Sequence, residues 1–461
     1  MLRTALRRAA KPSRVPRRTL TTSLPALCSR TECQKSANQP ITLTAETKSI
    51  SDRQQLYWIS PESPGSAFFL PHGHRIYSRL GEFMRLQLRV FGFQEISSPI
   101  MYKNSLWKQS GHWEKFQDDM FRVQPGHEET SVEEEFSLKP MNCPGHCLLF
   151  NSLKRSYREL PLRYSDFSPL HRNEASGALS GLTRVRRFHQ DDGHIFCTPE
   201  QVESEISRAL KLVQQTYNTF GLEISRVVLS TRPETFIGDI EQWNDAEKAL
   251  TSVLDSWSVS KGKWELNAGD GAFYGPKIDI LVKDKHGKEH QTATTQLDFQ
   301  LPERFQLKYF DASETAQRPV MVHRAVYGSL ERFLAILIDH YEGKWPLWLS
   351  PRQCMVLPVG EAQNEFAEKV AAQLSGLPSI TDQSTPLSAS TLFCDVDTRS
   401  ETLGQKIKQA RNEGYSYIAV IGDKEMQEGK VTVQKPGKKD RQLLTVDEAR
   451  DFFHKEQNAF R

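Results

Sequence analysis

Apolar residues recur along this chain with two periods, and each period predicts a different kind of element. Between residues 202 and 220 they recur at three- and four-residue steps, which is typical of a helix with one buried face. Thr-Pro-Glu-Gln at 198–201 has the composition of a helix N-terminal cap, and Gly221 is suited to end the helix. Between residues 278 and 283 apolar and polar residues largely alternate, so we predict a strand there. DKHGK (284–288) then predicts the turn of an antiparallel hairpin.

The pattern changes after Trp348, where short apolar runs alternate with amphipathic segments. The predicted strands are RQCMVLPVG, TLFCDVD and YSYIAVIG, and the predicted helices are EAQNEFAEKVAAQLSG, LGQKIKQARNEG and TVDEARDFF. Because such alternation favours a parallel sheet, we predict a separate α/β domain with a mostly parallel sheet over residues 349–461.

The first 35 residues differ in charge from the rest of the chain. They hold nine lysines or arginines and one acidic residue, Glu32. An arginine-rich, acid-poor leader is typical of a mitochondrial targeting presequence, which we assign to residues 1–35. A basic arm that binds RNA is the alternative. Residues 36–50 have the composition of a linker, which leaves residues 51–348 as the first folded domain.

The composition excludes several classes of protein. With 38% hydrophobic and 25% charged residues the chain is an ordinary globular one, and it has no apolar run near the ~20 residues that span a bilayer, so we expect no membrane partner. Seven scattered cysteines fit a reducing compartment better than a disulfide framework. Subtracting the net +8 of the leader from the chain's +3 leaves about −5. RNA binding would therefore depend on local basic patches.

Three distant stretches carry candidate metal ligands. They are KPMNCPGH (139–146), LHRNEASGALSGLTRVRRFHQDDGH (170–194) and VMVHRAVYGSLERF (320–333), and they supply Cys143, His194 and His323. One cysteine and two histidines form the kind of zinc site that leaves a position for a substrate. Two other groupings compete with this one: a local knuckle of Cys143, His146 and Cys147, and the close pair His194 and Cys197.

The second and third stretches also contain Arg172, Arg184 and Arg332. A planar guanidinium binds phosphate oxygens in bidentate fashion, which lysine cannot do. A metal that holds one substrate beside arginines that hold a polyphosphate suggests activation of a small molecule by ATP. Surface salt bridges are the alternative explanation for each arginine taken alone.

At these residues the chain resembles a class II aminoacyl-tRNA synthetase, and in particular a threonyl-tRNA synthetase. Arg172-x-Glu174 matches the second signature of the class, and the strand and helix ending in Arg332 match the third. The segment from Gly81 to Pro99 resembles the first signature, which forms the dimer interface in this class. MNCPGH, FHQDDGHIF and AFYGPKIDI are close to the threonyl forms, and the resemblance runs from about Ser51 to the C-terminus.

The resemblance implies an architecture. Residues 51–348 would form the catalytic domain, an α+β core with a six-to-seven-stranded antiparallel sheet flanked by helices, and the overall fold class is α/β. Residues 349–461 resemble the anticodon-binding domain of threonyl, prolyl, histidyl and glycyl synthetases, including Asp397-x-Arg399-x-Glu401. A homodimer through Gly81–Pro99 and a location in the mitochondrial matrix are expected.

The resemblance also implies roles for individual residues. The chain would activate L-threonine with ATP and transfer it to the 3′ end of mitochondrial tRNA(Thr), with Zn²⁺ in the active site and Mg²⁺ on ATP. The implied metal ligands are Cys143, His194 and His323, and the implied catalytic residues are Arg172, Lys277 and Arg332. The implied ATP contacts are Arg172, Glu174, Arg184, Phe188, Gln291, Ser329 and Arg332. The implied threonine contacts are Met141, Gln190, Asp192, Tyr274 and Gln296.

A zinc ion would give selectivity for threonine over valine. Valine matches threonine in shape, so an apolar pocket would discriminate poorly between them. A site built to coordinate the hydroxyl group rejects valine by about 10⁴–10⁵-fold. Serine keeps the hydroxyl and lacks one methyl group, a difference of only about 1–3 kcal/mol. Since larger threonyl synthetases hydrolyse Ser-tRNA in N-terminal domains, we expect detectable serine activation and no dedicated editing site here.

Three other protein classes are compatible with parts of the sequence. A non-catalytic synthetase relative would not be expected to keep Arg172, Arg332 and the metal ligands. A prolyl-tRNA synthetase shares the architecture but has no use for the ligand set. An RNA-binding module would account only for the basic residues of the C-terminal region. Contact with the anticodon and simple exposure to solvent explain these residues equally well. They are Lys406, Lys408, Arg411, Lys435, Lys438 and Lys439.

Overall fold

The computed structural model describes residues 45–124, 135–257, 259, 263–284, 286–377 and 391–461. The expected presequence and most of the expected linker lie outside the described residues. The described residues belong to one compact unit. The helices are α1 (Ala45–Gln54), α2 (Pro71–Val90), α3 (Asn104–Ser110), α4 (Trp113–Phe116), α5 (Cys143–Asn151), α6 (Val202–Phe220), α7 (Ile240–Ser256), α8 (Gln300–Arg304), α9 (Leu330–Tyr341), α10 (Asn364–Ser375), α11 (Leu403–Glu413), α12 (Asp423–Glu428) and α13 (Val446–Asn458).

The strands belong to two main sheets and several short ribbons. They are β1 (Tyr57–Ile59), β2 (Ala67–Phe69), β3 (Gln94–Ile96), β4 (Met101–Lys103), β5 (Arg122–Val123), β6 (Phe136–Leu138), β7 (Arg155–Ser156), β8 (Leu162–Asp166), β9 (Leu170–His171), β10 (Arg187–Phe188), β11 (Asp192–Cys197), β12 (Glu223–Ser230), β13 (Glu265–Asn267), β14 (Lys277–Lys283), β15 (Glu289–Asp298), β16 (Tyr309–Phe310), β17 (Ala316–Gln317), β18 (Val320–Ala325), β19 (Cys354–Pro358), β20 (Cys394–Val396), β21 (Tyr417–Ile421), β22 (Lys430–Gln434) and β23 (Arg441–Thr445). Across the described part of the chain, no helix combines the length and apolarity needed to cross a membrane.

The first main sheet has eight strands in the order β13-β12-β14-β15-β18-β11-β8-β3. Its inner pairs are antiparallel, as expected, whereas β13 and β3 join the two edges in parallel. The sheet is therefore wider than the six to seven strands expected. A strand was predicted around Phe93–Ile100, where β3 lies, whereas β13 is three residues long, too short for an alternating pattern to show in the sequence.

Helices cover one face of this sheet. The apolar stripe predicted for α6 is confirmed, because Ile206, Leu210 and Tyr217 are fully buried in the main core. The predicted cap is also present: the Thr198 amide donates to Gln201 Oε1 at 3.0 Å, and Gly221 ends the helix at φ +69°. Burial of each such side chain stabilises the fold by about 1.5–3 kcal/mol.

The predicted hairpin is confirmed and fixes the two faces of the sheet. Ile278, Ile280 and Val282 of β14 are fully buried in the core beneath the helices. Because successive residues of a strand point to opposite faces, Lys277 and Asp279 point to the other face. That second face carries the candidate site.

Helix α1 begins before the domain boundary expected at residue 51. Thr47 is fully buried and hydrogen-bonds to Asp339 of α9, while Gln54 Nε2 donates to the Gly343 carbonyl at 2.7 Å. Trp345 Nε1 donates in turn to Gln54 Oε1 at 2.8 Å. The helix is thus held largely by polar contacts, which apolar periodicity does not reveal.

The second main sheet has the order β20-β19-β21-β22-β23. The three strands predicted for this domain pair in parallel, and helices α10, α11 and α13 lie where they were predicted. Strands β22 and β23 add an antiparallel hairpin that was not predicted, so the sheet is mixed rather than mostly parallel. Lys406 is 2% exposed and its Nζ donates to the Pro358 carbonyl at 3.1 Å, which makes it a structural residue, neither a solvated side chain nor an RNA contact.

Candidate active site

Four of the predicted site residues lie in one row across the first sheet. Lys277 pairs with Gln296, Gln296 with His323, and His323 with His194, on the neighbouring strands β14, β15, β18 and β11. The row exists because the strands are in register at this level, so residues far apart in sequence become cross-strand neighbours. The structure therefore brings the second and third signature stretches together.

The first stretch adds a thiol to this row. Cys143 is the first residue of α5, and the ligand atoms of Cys143, His194 and His323 all lie within 4.8 Å of one another. Cys143 and His194 are buried and His323 is partly buried. Burial, with the nearby carboxylates of Asp192 and Asp298, raises the pKa of the Cys143 thiol well above its ordinary value. A divalent cation would offset this by displacing the thiol proton.

The two imidazoles are held by buried partners through one ring nitrogen each. His323 Nε2 lies 2.8 Å from Asp298 Oδ2, and His194 Nδ1 lies 2.8 Å from His146 Nδ1. The remaining nitrogens, Nδ1 of His323 and Nε2 of His194, are left to bind a metal. Burial, together with the neighbouring His146 and His323 rings, lowers the pKa of His194 well below its ordinary value, which keeps the ring neutral as a ligand must be.

The competing metal groupings do not form. Cys197 is three residues from His194 along β11, so the two side chains point to opposite faces of the sheet, and Cys197 packs in the core. Cys147 Sγ contacts Met321 Sδ at 3.8 Å. Within the described ranges, the three-residue set is the group of histidine, cysteine and acidic side chains whose geometry could hold a metal ion. One thiolate and two imidazoles suit zinc.

Polar groups predicted to contact the amino acid surround the ligands. Asp192 Oδ2 accepts from Asn142 Nδ2 at 3.0 Å, and Tyr274 Oη donates to Gln296 Oε1 at 3.1 Å. The Tyr274 and His323 rings lie 5.8 Å apart. The other two predicted contacts lie at the edge of this group: Gln190 Nε2 donates to the Gly328 carbonyl at 2.9 Å, and Met141 packs against the apolar cluster that contains Cys143.

Lys277 is placed beside carboxylates. Its Nζ lies 2.9 Å from Asp279 Oδ2 and 3.6 Å from Asp270 Oδ2. Burial opposes the charge, but Asp279 and Asp270 raise the pKa of Lys277, so the ammonium group is kept protonated at neutral pH.

The predicted ATP residues of the second stretch form a compact group. The Arg172 guanidinium lies 5.0 Å from the centre of the Phe188 ring, and its Nε donates to the Pro140 carbonyl at 3.4 Å. Arg184 Nη2 forms an ion pair with Glu174 Oε2 at 2.8 Å. Arg184 thus has the protein partner that the salt-bridge explanation requires, whereas Arg172 is stacked on an aromatic ring.

The third stretch places Arg332 near this group. Ser329 caps α9 by accepting from the Arg332 amide at 3.1 Å, and Arg332 Nε is buried without a hydrogen-bond partner among the described residues. Burial and the nearby Arg184 charge lower the pKa of Arg332. A buried donor without a partner, beside a second cation, is suited to an anionic ligand. Gln291 of β15 pairs with Leu281 of β14. It lies beyond the part of β15 that pairs with β18.

Several supporting residues were not predicted. Asp191 accepts from Arg324 Nη1 at 2.8 Å and from the amides of Val326 and Tyr327 at 2.8 and 2.9 Å. Asp191 and Arg324 are both buried, and they join the start of β11 to the end of β18. Asp191 is adjacent to Asp192 in sequence, but nothing in the sequence separates a buried structural carboxylate from a ligand-binding one.

Comparison with known proteins agrees with this geometry. Residues 121–341 match the tRNA synthetase class II core domain (G, H, P, S and T), and residues 353–456 match the anticodon-binding domain. A crystal structure titled as the RNA-binding domain of threonyl-tRNA synthetase from Cryptosporidium parvum superposes with a TM-score of 0.82, at 41% identity, covering 89% of this chain and 98% of that one. Fold and site together define a class II aminoacyl-tRNA synthetase.

Two curated relatives narrow the class. The mitochondrial threonine–tRNA ligase of Saccharomyces cerevisiae is 49% identical over 428 residues, covering 90% of this chain and 91% of its own. The probable mitochondrial threonine–tRNA ligase of Schizosaccharomyces pombe is 46% identical over 440 residues, covering 92% of each. The chain belongs to the threonine–tRNA ligase family. The fold class and family expected from the sequence are confirmed, and the prolyl and non-catalytic alternatives are set aside.

Proposed function

We propose that this synthetase activates L-threonine with ATP at a zinc-containing site and transfers it to mitochondrial tRNA(Thr). The observation that carries the metal assignment is the convergence of Cys143, His194 and His323 within 4.8 Å. Burial and the carboxylates of Asp192 and Asp298 keep the Cys143 thiol protonated without a metal, and a divalent cation attracted by the same carboxylates would displace that proton. Three protein ligands would leave room on the metal for a substrate, as in catalytic zinc sites.

Selectivity for threonine follows from this site. Zinc, if held by Cys143, His194 and His323, would supply a Lewis acid for the amino and hydroxyl groups of threonine. Asp192 is placed to accept a hydrogen bond from the hydroxyl group, and Tyr274 and Gln296 to contact the amino acid beside it. Valine would leave these groups unsatisfied, whereas serine would satisfy them, so discrimination against serine by binding alone stays within about 10–200-fold.

Activation needs no nucleophilic side chain. A carboxylate oxygen of threonine attacks the α-phosphorus of ATP, and the bond from that phosphorus to the bridging oxygen of pyrophosphate breaks. Arg172 would hold the α-phosphate and the attacking carboxylate, while Arg332 would lie against the outgoing phosphates and Lys277 beside the forming adenylate. Positioning and charge stabilisation then carry the rate, with Mg²⁺ neutralising the triphosphate.

The remaining ATP contacts are proposed from the same group. Phe188 would stack on adenine, with Glu174 at the adenine end of the loop. Arg184 would exchange its ion pair with Glu174 for the γ-phosphate. Gln291 and Ser329 complete the set. Transfer of the threonyl group to the 3′-hydroxyl of the terminal tRNA adenosine releases AMP.

The C-terminal domain is proposed to bind the anticodon arm of the tRNA. A cleft lies between this domain and the catalytic domain, and several cations line it: Arg53, Lys344, Arg411, Lys435 and Lys438. Tyr417 also lines the cleft, with Lys435 Nζ 5.1 Å from its ring centre. Tyr417 is 4% exposed, so RNA binding in this cleft would depend on the cations that can pair with phosphates. These local charges can bind RNA although the chain without its leader would carry net negative charge.

We also propose a homodimer and a location in the mitochondrial matrix. Leu86 and Val90 of α2 are 61% and 73% exposed and lie one turn apart, within the segment Gly81–Pro99 expected at the dimer interface. A second copy of the chain would cover them. The mitochondrial names of the two curated relatives support the location, together with the basic leader.

Replacement of the thiol ligand tests the metal assignment. Cys143→Ser should lose bound zinc and threonine-dependent ATP–pyrophosphate exchange, because serine does not supply a thiolate. Cys147→Ser, at a buried residue four positions further along the same helix, is the matched control and should keep both. Zinc is measured by plasma mass spectrometry of the purified proteins. Full exchange activity in zinc-free Cys143→Ser would show the assignment to be wrong.

A further inference from the structure

A line of buried polar groups runs behind His194, away from the proposed metal position. His194 Nδ1 lies 2.8 Å from His146 Nδ1, and His146 Nε2 lies 3.4 Å from Asp166 Oδ2. The two rings are edge to face, with centres 4.6 Å apart. All three residues are at most 1% exposed, so water does not compete for these hydrogen bonds.

The end of this line is a fixed carboxylate. Asp166 accepts from the amides of Ser168 and Ser98 at 2.7 and 3.2 Å, and from both of their hydroxyl groups. Lys139 Nζ lies 3.7 Å from Asp166 Oδ2 and supplies the opposite charge. Because Lys139 already compensates this buried charge, a second cation at His146 is not required.

The hydrogen-bond partners then determine which nitrogen carries the proton in each of the two imidazole rings. An ionised carboxylate only accepts, so His146 must carry its proton on Nε2, which leaves Nδ1 as an acceptor. His194 must therefore donate from Nδ1, and its Nε2 holds the free electron pair that a metal requires. No other assignment of single protons to the two neutral rings makes both hydrogen bonds.

We propose that His146 and Asp166 are positioning residues that hold His194 in the orientation and tautomer needed to bind the active-site metal. The inference rests on the proposed zinc site and extends it to residues outside the ligand set. His146 would not itself ligate, because both of its nitrogens are engaged. Its place on α5, three residues after Cys143, lets one helix carry a ligand and the support of a second ligand on the same side.

The other imidazole ligand is supported in a simpler way. His323 hydrogen-bonds directly to the carboxylate of Asp298, whereas His194 reaches its carboxylate through a second ring. Such partners typically contribute 10–100-fold to metal affinity. We call the line from His194 through His146 to Asp166 the His194 relay. It can be tested by replacing His146, which lies in the middle.

The test measures metal affinity in the full chain by competition with a chromophoric chelator, using Zn²⁺ and Co²⁺. His146→Phe keeps a ring and removes both hydrogen bonds, so its zinc dissociation constant should rise 10–100-fold. His146→Asn keeps an acceptor for His194 and loses the reach to Asp166, so its rise should be smaller but measurable. Cys147→Ser, the next residue along the helix, should bind zinc like the wild type.

Cobalt separates a positioning role from a ligand role. At saturating Co²⁺, His146→Phe should keep the thiolate-to-cobalt charge-transfer band and the band pattern of the wild type, since its three ligands are intact. Loss of the wild-type band pattern at saturation would mean that His146 ligates the metal, which overturns the proposal. Melting temperatures, recorded for every variant, identify those that are folded.

Two affinity results would also overturn it. One is a folded His146→Phe that binds zinc as tightly as the wild type. The other is an equal loss in His146→Phe, His146→Asn and Cys147→Ser, which would indicate general disturbance of α5. If His146→Phe does not fold, the zinc affinities of His146→Asn and Cys147→Ser are compared instead. Equal affinities would then reject the His194 relay. A wild-type chain that binds no zinc at all would instead reject the proposed metal site itself.

Discussion

At the scale of single residues, phosphate binding depends on how each arginine is held. Arg172 is stacked on Phe188 and anchored to the Pro140 carbonyl, so its fork is oriented before any ligand arrives. Arg332 has a buried Nε without a protein partner in the described structure. Arginine at such places supplies fixed geometry as well as charge.

Arg172→Ala should therefore reduce threonine-dependent ATP–pyrophosphate exchange by at least about 10²–10³-fold, the range for loss of one transition-state donor. Arg172→Lys keeps the charge and loses the bidentate fork, so it should recover little of the activity. Exchange rates at saturating ATP and threonine separate this loss from weaker binding. Wild-type rates in Arg172→Lys would show that charge alone is sufficient.

Serine tests how far the site discriminates. Because serine lacks only one methyl group of threonine, it should support exchange with a kcat/KM about 10–200-fold lower. Valine should be rejected by about 10⁴–10⁵-fold, since it cannot satisfy the hydroxyl-binding groups. Parallel exchange assays with the three amino acids measure both ratios. Similar rates for serine and valine would contradict a hydroxyl-reading site.

The sequence indicated the candidate metal ligands better than the residues that support them. Cys143, His194 and His323 could be found because each lies in a distinct signature stretch, and the structure brings them together. Asp298 and Asp166 could not, because they are two among 57 acidic residues and their partners are set by strand register. His146 was considered only as a ligand, since its link to Asp166 is visible only in three dimensions.

At the scale of elements, prediction succeeded where a segment was long and periodic. Helix α6 and the hairpin of β14 and β15 have repeated apolar positions, and both are present. Strand β13 is three residues long, and α1 buries polar side chains that hydrogen-bond to α9 and the segment after it. Such elements depend on tertiary partners and leave little local pattern.

The prediction at the scale of elements concerns helix α2 and the proposed dimer. Leu86→Glu should convert a dimer to monomers, because it places a charge on the exposed apolar face proposed to be covered by a second copy. Leu443→Glu on β23 is the control, since Leu443 is also exposed, at 43%, but lies in the other domain. Light scattering after size-exclusion chromatography gives the mass of each. A monomeric wild type, or two dimeric variants, would contradict the assignment.

At the scale of the whole molecule, two domains meet through defined contacts. Arg75 of α2 donates to the Pro351 carbonyl at 2.8 Å and lies 3.8 Å from the centre of the Phe393 ring. The cation-lined cleft lies along the same junction. A division at residue 348 was predicted from the change in element order, whereas the cleft could not be predicted, because its cations come from segments far apart in sequence.

Replacing Lys435 and Lys438 together with alanine should raise the KM for tRNA. It should also reduce the slope of log affinity against log salt by about one for each phosphate that the lysines no longer bind. ATP–pyrophosphate exchange, which needs no tRNA, should not change. Lys369 and Lys424, exposed lysines of the same domain, form the matched double control. Equal effects of the two double variants would indicate a general charge effect instead of a binding cleft.

The Asp191–Arg324 pair has a consequence for how the two small substrates meet. The carboxylate ties the strand that carries Asp192 and His194 to the turn that leads into Ser329 and Arg332. Amino acid and nucleotide would therefore bind to segments that are joined by buried hydrogen bonds. Much of the entropy lost in aligning the attacking oxygen with phosphorus is then lost during folding, before either substrate arrives.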